Sequence, residues 1–381
     1  EWVTTPQLIS TIRSKKAIEE DLAALSTKCT DSKIWLNELR TFRKREILRV
    51  GTRDICLKVP VKDIFQELSN IAEAIIEVTL QRICSEVCTP EEKEYIRPCI
   101  LSFGKLGGAE LNYSSDIDLL GVYDPADYNE IQQHLIKAKA KKIIEQLRND
   151  LSLYTEEGYV YRVDLRLRPF GRAGSITISV DSLYRYYTTS ASPWEYQALL
   201  KLRPIAGDLS TGHRFLGLIT PLLLQKKDPN SIKTTIRNMR KSAKNNTGGY
   251  GTAGYNIKVG EGGIRDIEFL VQGLQLIHLH EYPQLLNSNT LKSIELLEKL
   301  SILPEETAAT LTRHYLFLRR IEHFLQIYED RQIHATPVEE EDRITLSKRL
   351  QGSDEDPEVF FEKLDKTLTE VKNIYEQHIF S

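Results

Sequence analysis

Apolar positions recur at helical spacing towards both ends of the chain and at strand spacing in its middle. The apolar residues between Ile64 and Ile76 repeat with the period of one helix face, and a helical pattern returns from about residue 206 onward. Between them, alternating runs predict strands at 98–103, 117–123, 159–167 and 175–180, with helices at 128–151 and 181–200. The pattern predicts a helical region at 1–95, an α/β domain at 96–205 and a helical bundle at 206–381.

The most informative stretch is 103–120, which reads FGKLGGAELNYSSDIDLL. Gly107 and Gly108 leave the backbone bare, so that consecutive N–H groups could approach an anion. Asp116 and Asp118 alternate with apolar residues, as on a strand where residues two apart share a face. Two neighbouring carboxylates are unfavourable unless a cation lies between them. Phosphate-binding glycines followed by a metal-binding Asp-x-Asp pair are the arrangement that nucleotidyl transfer needs.

A second charged stretch, YVYRVDLRLRPFGRAG, occupies 159–174. Its alternation predicts an apolar face and a charged face on which arginines surround one carboxylate. The charged positions are Arg162, Asp164, Arg166 and Arg168. One interpretation is an exposed, charged edge strand. The favoured one makes Asp164 a third metal carboxylate, flanked by guanidinium groups that bind phosphate oxygens in bidentate fashion.

Several other charged positions allow both a functional and a structural interpretation. Lys201 and Arg203 could support phosphates or complement a helix C-terminus. Arg265 and Glu268 share a polar stripe on an otherwise apolar helix, which indicates a polar pocket or a satisfied network. The arginine-rich stretch 41–54 predicts a solvated basic face or a surface for an anionic substrate. The glycine-rich stretch 241–254 predicts a loop, with phosphate binding as the less favoured alternative.

Composition and charge narrow the classes of protein. A length of 381 residues suggests two or three domains. The net charge of −3 argues against generic nucleic-acid binding, so an anion site has to be local. The absence of an apolar run of about 18 residues predicts no membrane span, and the five cysteines favour a reducing, cytoplasmic setting. No signal peptide is evident, and the first residue is Glu1 rather than Met, which suggests a fragment.

Four stretches together resemble one family over about residues 35–340. They are GKLGGAELNYSSDIDLL, YRVDLRLRPFGRAG, WEYQALLKLR and GGIRDIEFLVQ, in this order, and they resemble the glutamine synthetase adenylyltransferase/deadenylylase family. The resemblance implies an α+β fold that is mainly α overall. It comprises a DNA polymerase β-like nucleotidyltransferase domain with a mixed β-sheet, flanked by an N-terminal helical region and a C-terminal helical bundle. A single copy of the motif set suggests half of a bifunctional enzyme.

The resemblance also bears on the direction of the reaction. In the family, one half removes AMP from glutamine synthetase by phosphorolysis, and the other half adds AMP from ATP. Phe170 and Arg265 stand where the adding half tends to have Ser and Thr, so the chain is more similar to the removing half. This implies that ADP and unmodified synthetase are formed, in regulation of nitrogen assimilation. The alternatives are an adenylyltransferase acting on the synthetase or another protein, and a non-catalytic module that senses a nucleotide or effector.

The resemblance assigns expected roles to particular residues. Asp116, Asp118 and Asp164 would be catalytic and hold Mg²⁺ or Mn²⁺, with ATP or ADP and phosphate as substrate or product. The phosphate- and nucleotide-binding residues would be Gly107, Gly108, Ser115, Arg166, Arg168, Lys201, Arg203, Arg265 and Glu268. Glutamine synthetase is the expected partner, with a PII-type signal protein and glutamine as effectors, and neither nucleic acid nor a membrane is expected.

Overall fold

The computed structural model describes residues 9–245, 254–327, 333–351 and 356–380. It confirms an α+β chain that is mainly helical and contains one small mixed sheet. The chain forms two compact units, of which the first comprises Glu1–Leu111 and Ser115–Leu222 and the second Asn112–Ser114 and Leu223–Ser381. The helices found in these described ranges all fall short of the length or apolar character that a membrane span requires.

The helices of the first unit begin where the sequence offers a cap. Ser14 and Asp31 accept hydrogen bonds from the first free backbone N–H groups of the helices that follow them, and Asn129 forms a capping box with Gln132. The helices are α1 (Lys15–Lys28), α2 (Ser32–Ile55), α3 (Val61–Val87), the short turn α4 (Gly104–Gly107), α5 (Glu130–Ser152), α6 (Val180–Thr189), α7 (Pro193–Leu199) and α8 (Leu209–Leu223).

Five strands form the sheet of the first unit. They are β1 (Cys99–Ser102), β2 (Ile117–Tyr123), β3 (Val163–Asp164), β4 (Thr177–Ser179) and β5 (Arg203–Gly207). β1 runs antiparallel to β2 and β5, whereas β3 and β4 both run parallel to β2. A Cβ atom at Gly121 would lie 2.6 Å from Ile144 Cγ1, so the glycine lets α5 approach β2 closely. β2 is the strand to which β1, β3 and β4 are all attached.

The prediction for 159–167 was wrong in extent, because only Val163–Asp164 is a strand. The chain turns after Leu165, whose carbonyl accepts a hydrogen bond from the Arg168 N–H. The predicted helix at 181–200 is also divided, since Ser192 caps a second helix that starts at Pro193. β5 was not predicted from the pattern of apolar residues. Its Pro204 pairs with Leu101 beside a register shift.

The second unit is a bundle of helices centred on a buried one. Its helices are α9 (Pro229–Asn245), α10 (Ile264–His278), α11 (Thr290–Lys299), α12 (Glu305–Ile327), α13 (Glu340–Gln351) and α14 (Pro357–Ile379). Gly262 precedes α10 with φ +73°, and a Cβ there would lie 1.8 Å from the Leu368 carbonyl oxygen. Residues 246–253, on which much of the loop prediction for 241–254 falls, lie outside the described residues. The predicted domain boundaries at 95/96 and 205/206 stay predictions. They were drawn where the periodicity of apolar residues changes, whereas the two units are defined by how compactly the chain folds.

The arginine-rich stretch of α2 is divided between buried and exposed side chains, so the predicted solvated basic face holds for only part of it. Arg49 pairs with Glu46 at 2.9 Å and with Glu67 at 2.8 Å, and Arg53 pairs with Glu67 at 2.7 Å. Arg49, Glu46 and Glu67 are fully buried. An isolated buried charge is strongly unfavourable, so these side chains are arranged as ion pairs that neutralise one another. Arg49 and Arg53 therefore join α2 to α3, whereas Lys44 and Arg45 of the same stretch are exposed.

Removing one member of this buried network tests its role. We expect Glu67→Gln to destabilise the protein by about 3 kcal/mol, because it leaves Arg49 and Arg53 buried beside a neutral amide. Urea unfolding followed by circular dichroism measures the change. Glu20→Gln is the matched control, because Glu20 forms an exposed pair with Lys16 at 4.0 Å and should leave the midpoint unchanged. Equal midpoints for both variants would contradict the assigned role.

Candidate active site

Three aspartates lie where β2 and β3 pair. Asp118 of β2 is the register partner of Asp164 of β3, and Asp116 immediately precedes β2. In parallel strands, register partners project on the same face of the sheet. The pairing thus brings together two carboxylates that are 46 positions apart in the sequence. Asp116 and Asp164 also line a cleft of about 380 Å³.

Asp116 is bound by Arg162, which was predicted only as one of the arginines around Asp164. Arg162 Nε donates to Asp116 Oδ1 at 2.6 Å. The same guanidinium donates to the Tyr159 hydroxyl and lies 5.4 Å from the centre of the Tyr159 ring. The Arg162 carbonyl accepts from the Ile117 N–H at 3.0 Å, which fixes its backbone beside β2. Arg162 therefore neutralises Asp116 from a well-anchored position.

Asp164 is held by Arg166 through both of its carboxylate oxygens. Arg166 Nε lies 3.0 Å from Oδ1 and 2.8 Å from Oδ2, and the Arg166 backbone N–H donates to Oδ1 at 2.8 Å. Burial by itself would raise the pKa of Asp164, but the hydrogen bonds from Arg166 and the charges of Arg166 and Arg172 outweigh it. The net effect is a pKa below the ordinary value for an aspartate. Asp164 is thus an ionised, fully engaged carboxylate.

A glycine to which the sequence pattern assigned no role leaves room for the Asp118 carboxylate. Gly104 has φ +57°, and a Cβ atom there would lie 2.6 Å from Asp118 Oδ2. The Phe103 N–H next to it donates to the Asp118 carbonyl at 2.9 Å. The left-handed backbone and the close approach both require glycine. The first glycine of the FGKLGG run, rather than the glycine pair, makes room for the carboxylate.

The structure contradicts the predicted phosphate cradle at Gly107 and Gly108. The Gly107 N–H donates to the Phe103 carbonyl at 2.9 Å, and the Gly108 N–H donates to the Gly104 carbonyl at 3.1 Å. Both N–H groups therefore close the turn α4 instead of pointing at an anion. Position 107 requires a glycine for a packing reason, because a Cβ atom there would lie 1.8 Å from the Lys201 carbonyl oxygen. The glycine pair serves the close packing of α4.

Lys201 and Arg203 contact protein groups at and just after this turn. Lys201 is buried and forms an ion pair with Glu110 at 2.8 Å. Arg203 donates to the carbonyl groups of Gly107 at 3.1 Å and Leu106 at 3.0 Å, and pairs with Glu73. Their predicted role as phosphate ligands stays a prediction, and the side chains are engaged by these protein groups. The helix-terminus alternative holds for Arg203, although the helix concerned is α4.

Arg168 lines the cleft but is largely committed to its own loop. Its guanidinium donates to the carbonyl groups of Leu165 at 2.7 Å, Gly174 at 3.0 Å and Arg172 at 3.1 Å. Three of its N–H groups are therefore used to shape the loop that follows β3. Its predicted contact with phosphate stays a prediction for the remaining two. Arg148 of α5 and Arg172 also line the cleft, although neither was predicted to belong to the site.

Arg265, Glu268 and Ser115 are the remaining predicted residues of the site. Arg265 and Glu268 lie on α10 in the second unit, where the Arg265 guanidinium lies over Phe269 at 5.6 Å. Ser115 is partly exposed just before Asp116. The roles of all three in nucleotide binding stay predictions.

Residues Asn112–Ser114, between the glycine pair and β2, belong to the second unit. Arg319 of α12 donates to Asn112 Oδ1, and Gln326 accepts from the Ser114 N–H at 3.1 Å. His323 packs edge-on against Tyr113, with ring centres 5.1 Å apart. Polar residues on one buried face of α12 thus hold the stretch that leads into Asp116. Helical spacing of Arg319, His323 and Gln326 was the available signal for this face.

The three aspartates suit a hard divalent cation in donor type and in strand register. Carboxylate oxygens are the ligands that Mg²⁺ and Mn²⁺ prefer. Among the residues that the structure describes, no three His, Cys, Asp or Glu side chains already form a ligand set. Asp116 and Asp164 instead form ion pairs with Arg162 and Arg166, respectively. A cation bound here has to compete with these two arginines.

Comparison with known proteins finds one family model for each of two parts of the chain. Residues 2–218 match the family model described as glutamate-ammonia ligase adenylyltransferase, and residues 230–379 match that of the GlnD PII-uridylyltransferase.

Curated relatives include bifunctional glutamine synthetase adenylyltransferase/adenylyl-removing enzymes from several bacteria. The protein from Methylococcus capsulatus is 33% identical over 94% of this chain and 38% of its own length. Those from Pseudomonas aeruginosa and Vibrio parahaemolyticus are 33% and 30% identical over 87% and 97% of the chain, which correspond to 34% and 40% of their own lengths. The chain therefore spans well under half of these relatives. With more than half of its residues matched by the first family model, the chain belongs to the glutamate-ammonia ligase adenylyltransferase family.

Proposed function

We propose that the chain removes AMP from a tyrosine of adenylylated glutamine synthetase by phosphorolysis, releasing ADP and unmodified synthetase. The observation that carries the proposal is the pairing of Asp118 with Asp164 beside a cleft lined by arginines. The family supplies the acceptor, since the relatives are named for adding and removing adenylyl groups on this enzyme. The chain spans only part of those relatives, so the activity of the whole protein is part of the proposal.

The charge of the cleft suits a reaction between two anions. Its lining contains two carboxylates and five arginines, which are Arg148, Arg162, Arg166, Arg168 and Arg172. Phosphorolysis brings inorganic phosphate to a phosphodiester, and both carry negative charge. Guanidinium groups bind phosphate oxygens in a bidentate manner and stabilise charge that moves during transfer. The excess of arginines over carboxylates therefore supports phosphoryl chemistry with an anionic attacking group.

The position of Asp164 favours removal over addition of AMP. Addition requires a base to take the proton of a tyrosine hydroxyl, whose unperturbed pKa is about 10. Asp164 is the candidate base, but both of its oxygens already accept hydrogen bonds from Arg166. Inorganic phosphate is an anion before it attacks and needs little help from a base. A site whose carboxylates are tied to arginines is therefore better suited to phosphorolysis.

Asp116, Asp118 and Asp164 would hold Mg²⁺ or Mn²⁺. When bound, such an ion would neutralise charge on the transferring phosphoryl group and on the departing phenolate. Arg162 and Arg166 compensate Asp116 and Asp164 in the free protein, and guanidinium groups of this kind also suit phosphate oxygens. Ser115, Arg168, Arg265 and Glu268 are assigned supporting roles in nucleotide binding.

Two other functions remain as alternatives. An adenylyltransferase would use the same carboxylates and arginines to move AMP from ATP to a tyrosine of the synthetase or another protein, with pyrophosphate as the leaving group. A non-catalytic regulatory module is the other alternative, and the match of residues 230–379 to a family named for PII uridylylation bears on it. The same match leads us to propose a PII-type signal protein, with glutamine, as an effector of the reaction.

A paired assay tests the direction of the reaction. One mixture contains adenylylated glutamine synthetase and phosphate, and the other contains unmodified synthetase and ATP. We expect ADP in the first mixture and no incorporation of AMP in the second, each tested with and without PII protein and glutamine. Incorporation of AMP into unmodified synthetase, without ADP formation in the first mixture, would establish the adenylyltransferase instead.

Substitution of a central carboxylate tests the site itself. Asp118→Asn removes one charged oxygen ligand while keeping the shape of the side chain, and we expect the rate of ADP formation to fall by about 100-fold or more. Asp124→Asn is the matched control, because Asp124 directly follows β2 and pairs with Arg214 outside the cleft. Its rate should stay within about twofold of the wild type. A wild-type rate in Asp118→Asn would exclude the proposed site.

Metal removal tests the assignment of the carboxylates. We expect chelation by EDTA to abolish ADP formation and added Mg²⁺ or Mn²⁺ to restore it, because the transferring charge then lacks its neutralising ion. Titration of Mn²⁺, followed by electron paramagnetic resonance, should give weaker binding in Asp118→Asn than in Asp124→Asn. Full activity in EDTA, or identical Mn²⁺ binding by the two variants, would contradict a metal site at these residues.

A further inference from the structure

Phe170 adopts a backbone conformation that is unfavourable for its residue type. It has φ +62°, in the left-handed region that favours glycine, and its side chain is 68% exposed. The residue thus accepts both an unfavourable backbone conformation and an exposed aromatic ring. Such strain persists where the surroundings enforce it, and it is concentrated at ligand-binding sites.

The loop around Phe170 is held firmly between two residues of the cleft. Gly171 N–H donates to the Arg168 carbonyl at 2.9 Å, and Ala173 N–H donates to the Phe170 carbonyl at 3.2 Å. The Arg168 side chain, in turn, binds the Arg172 carbonyl at 3.1 Å. Arg168 and Arg172 both line the cleft. Phe170 therefore lies at the tip of a cross-linked turn between two arginines of the cleft.

The ring of Phe170 has a fixed orientation with an open face. It makes a T-shaped contact with Tyr186, with ring centres 5.0 Å apart and an interplanar angle of 71°. The Tyr186 hydroxyl donates to Glu195 Oε1 at 2.7 Å, which anchors this neighbour. A T-shaped contact covers at most one face of the Phe170 ring. The other face stays open to a planar group.

We propose that Phe170 is a stacking platform for the adenine base of the AMP group whose phosphate the neighbouring arginines bind. Base–aromatic stacking needs an ordered ring with a free face, and the turn and Tyr186 provide both. The arginines on either side supply the charge for the attached phosphate. The inference rests on the proposed function only in taking AMP as the ligand.

Isothermal titration calorimetry with three ligands tests the proposal. The affinity of the chain for each ligand is measured in the absence of glutamine synthetase. AMP carries base and phosphate, ribose 5-phosphate lacks the base, and phosphotyrosine carries a phenol ring instead. We expect the wild type to bind AMP more tightly than ribose 5-phosphate. Phe170→Leu should weaken AMP binding about tenfold and leave ribose 5-phosphate within about twofold, whereas Phe170→Trp should retain AMP affinity.

Two further variants separate stacking from effects on folding. Phe170→Gly suits the positive φ, so we expect stability at least equal to that of the wild type together with weakened AMP binding. Phe380→Leu is the matched control, because Phe380 is 55% exposed and makes a T-shaped contact with Tyr375 but does not belong to the loop. It should leave all three affinities unchanged.

Several results would overturn the proposal. They are a wild type that binds AMP no better than ribose 5-phosphate, unchanged AMP affinity in Phe170→Leu, an equal loss for AMP and ribose 5-phosphate, or a loss confined to phosphotyrosine. The last would assign the ring to the tyrosine side of the substrate. Because binding is measured without the synthetase, a chain that fails in phosphorolysis can still show base stacking. Conversely, an active enzyme with unchanged AMP affinity in Phe170→Leu would refute only this inference.

Discussion

The parallel pairing of β2 with β3 is the constraint on which the candidate site depends. It places Asp118 next to Asp164, with Asp116 just before β2. Carboxylates at neighbouring positions of paired strands repel each other, and Arg162 and Arg166 compensate the charges of Asp116 and Asp164 directly. By our proposal, the same guanidinium groups would bind phosphate oxygens when the carboxylates hold a metal ion. The residues that balance charge in the free protein would then also stabilise charge in the reaction.

Close backbone packing around the short turn α4 keeps this arrangement in place. Gly104 leaves room for the Asp118 carboxylate, and Gly107 leaves room for the Lys201 carbonyl. Arg203 binds the carbonyl groups at the end of the turn. Glycines that could be taken for an anion-binding loop therefore act by bringing β1, β2 and the chain before β5 close together. Any side chain at Gly107 would have to move the backbone that it faces.

Sequence patterns predicted the parts of the site that depend on local periodicity. Alternation around Asp116 and Asp118 placed β2 at its observed bounds, and the arginine-rich pattern predicted that guanidinium groups would flank Asp164. The failures involve partners far away in the sequence. Gly107 meets Lys201, Arg49 meets Glu67, and Pro204 lies in a strand that only its pairing with β1 reveals. Periodicity within one segment contains no information about such partners.

The fate of inorganic phosphate tests the central claim most directly. Adenylylated glutamine synthetase is incubated with the chain and ³²P-labelled phosphate, and the nucleotides are separated. Phosphorolysis at the Asp116–Asp118–Asp164 site places the label in the β-phosphate of ADP, because phosphate itself attacks the AMP phosphorus. Release of unlabelled AMP, with all of the label left in phosphate, would show that water is the attacking group and would contradict the account.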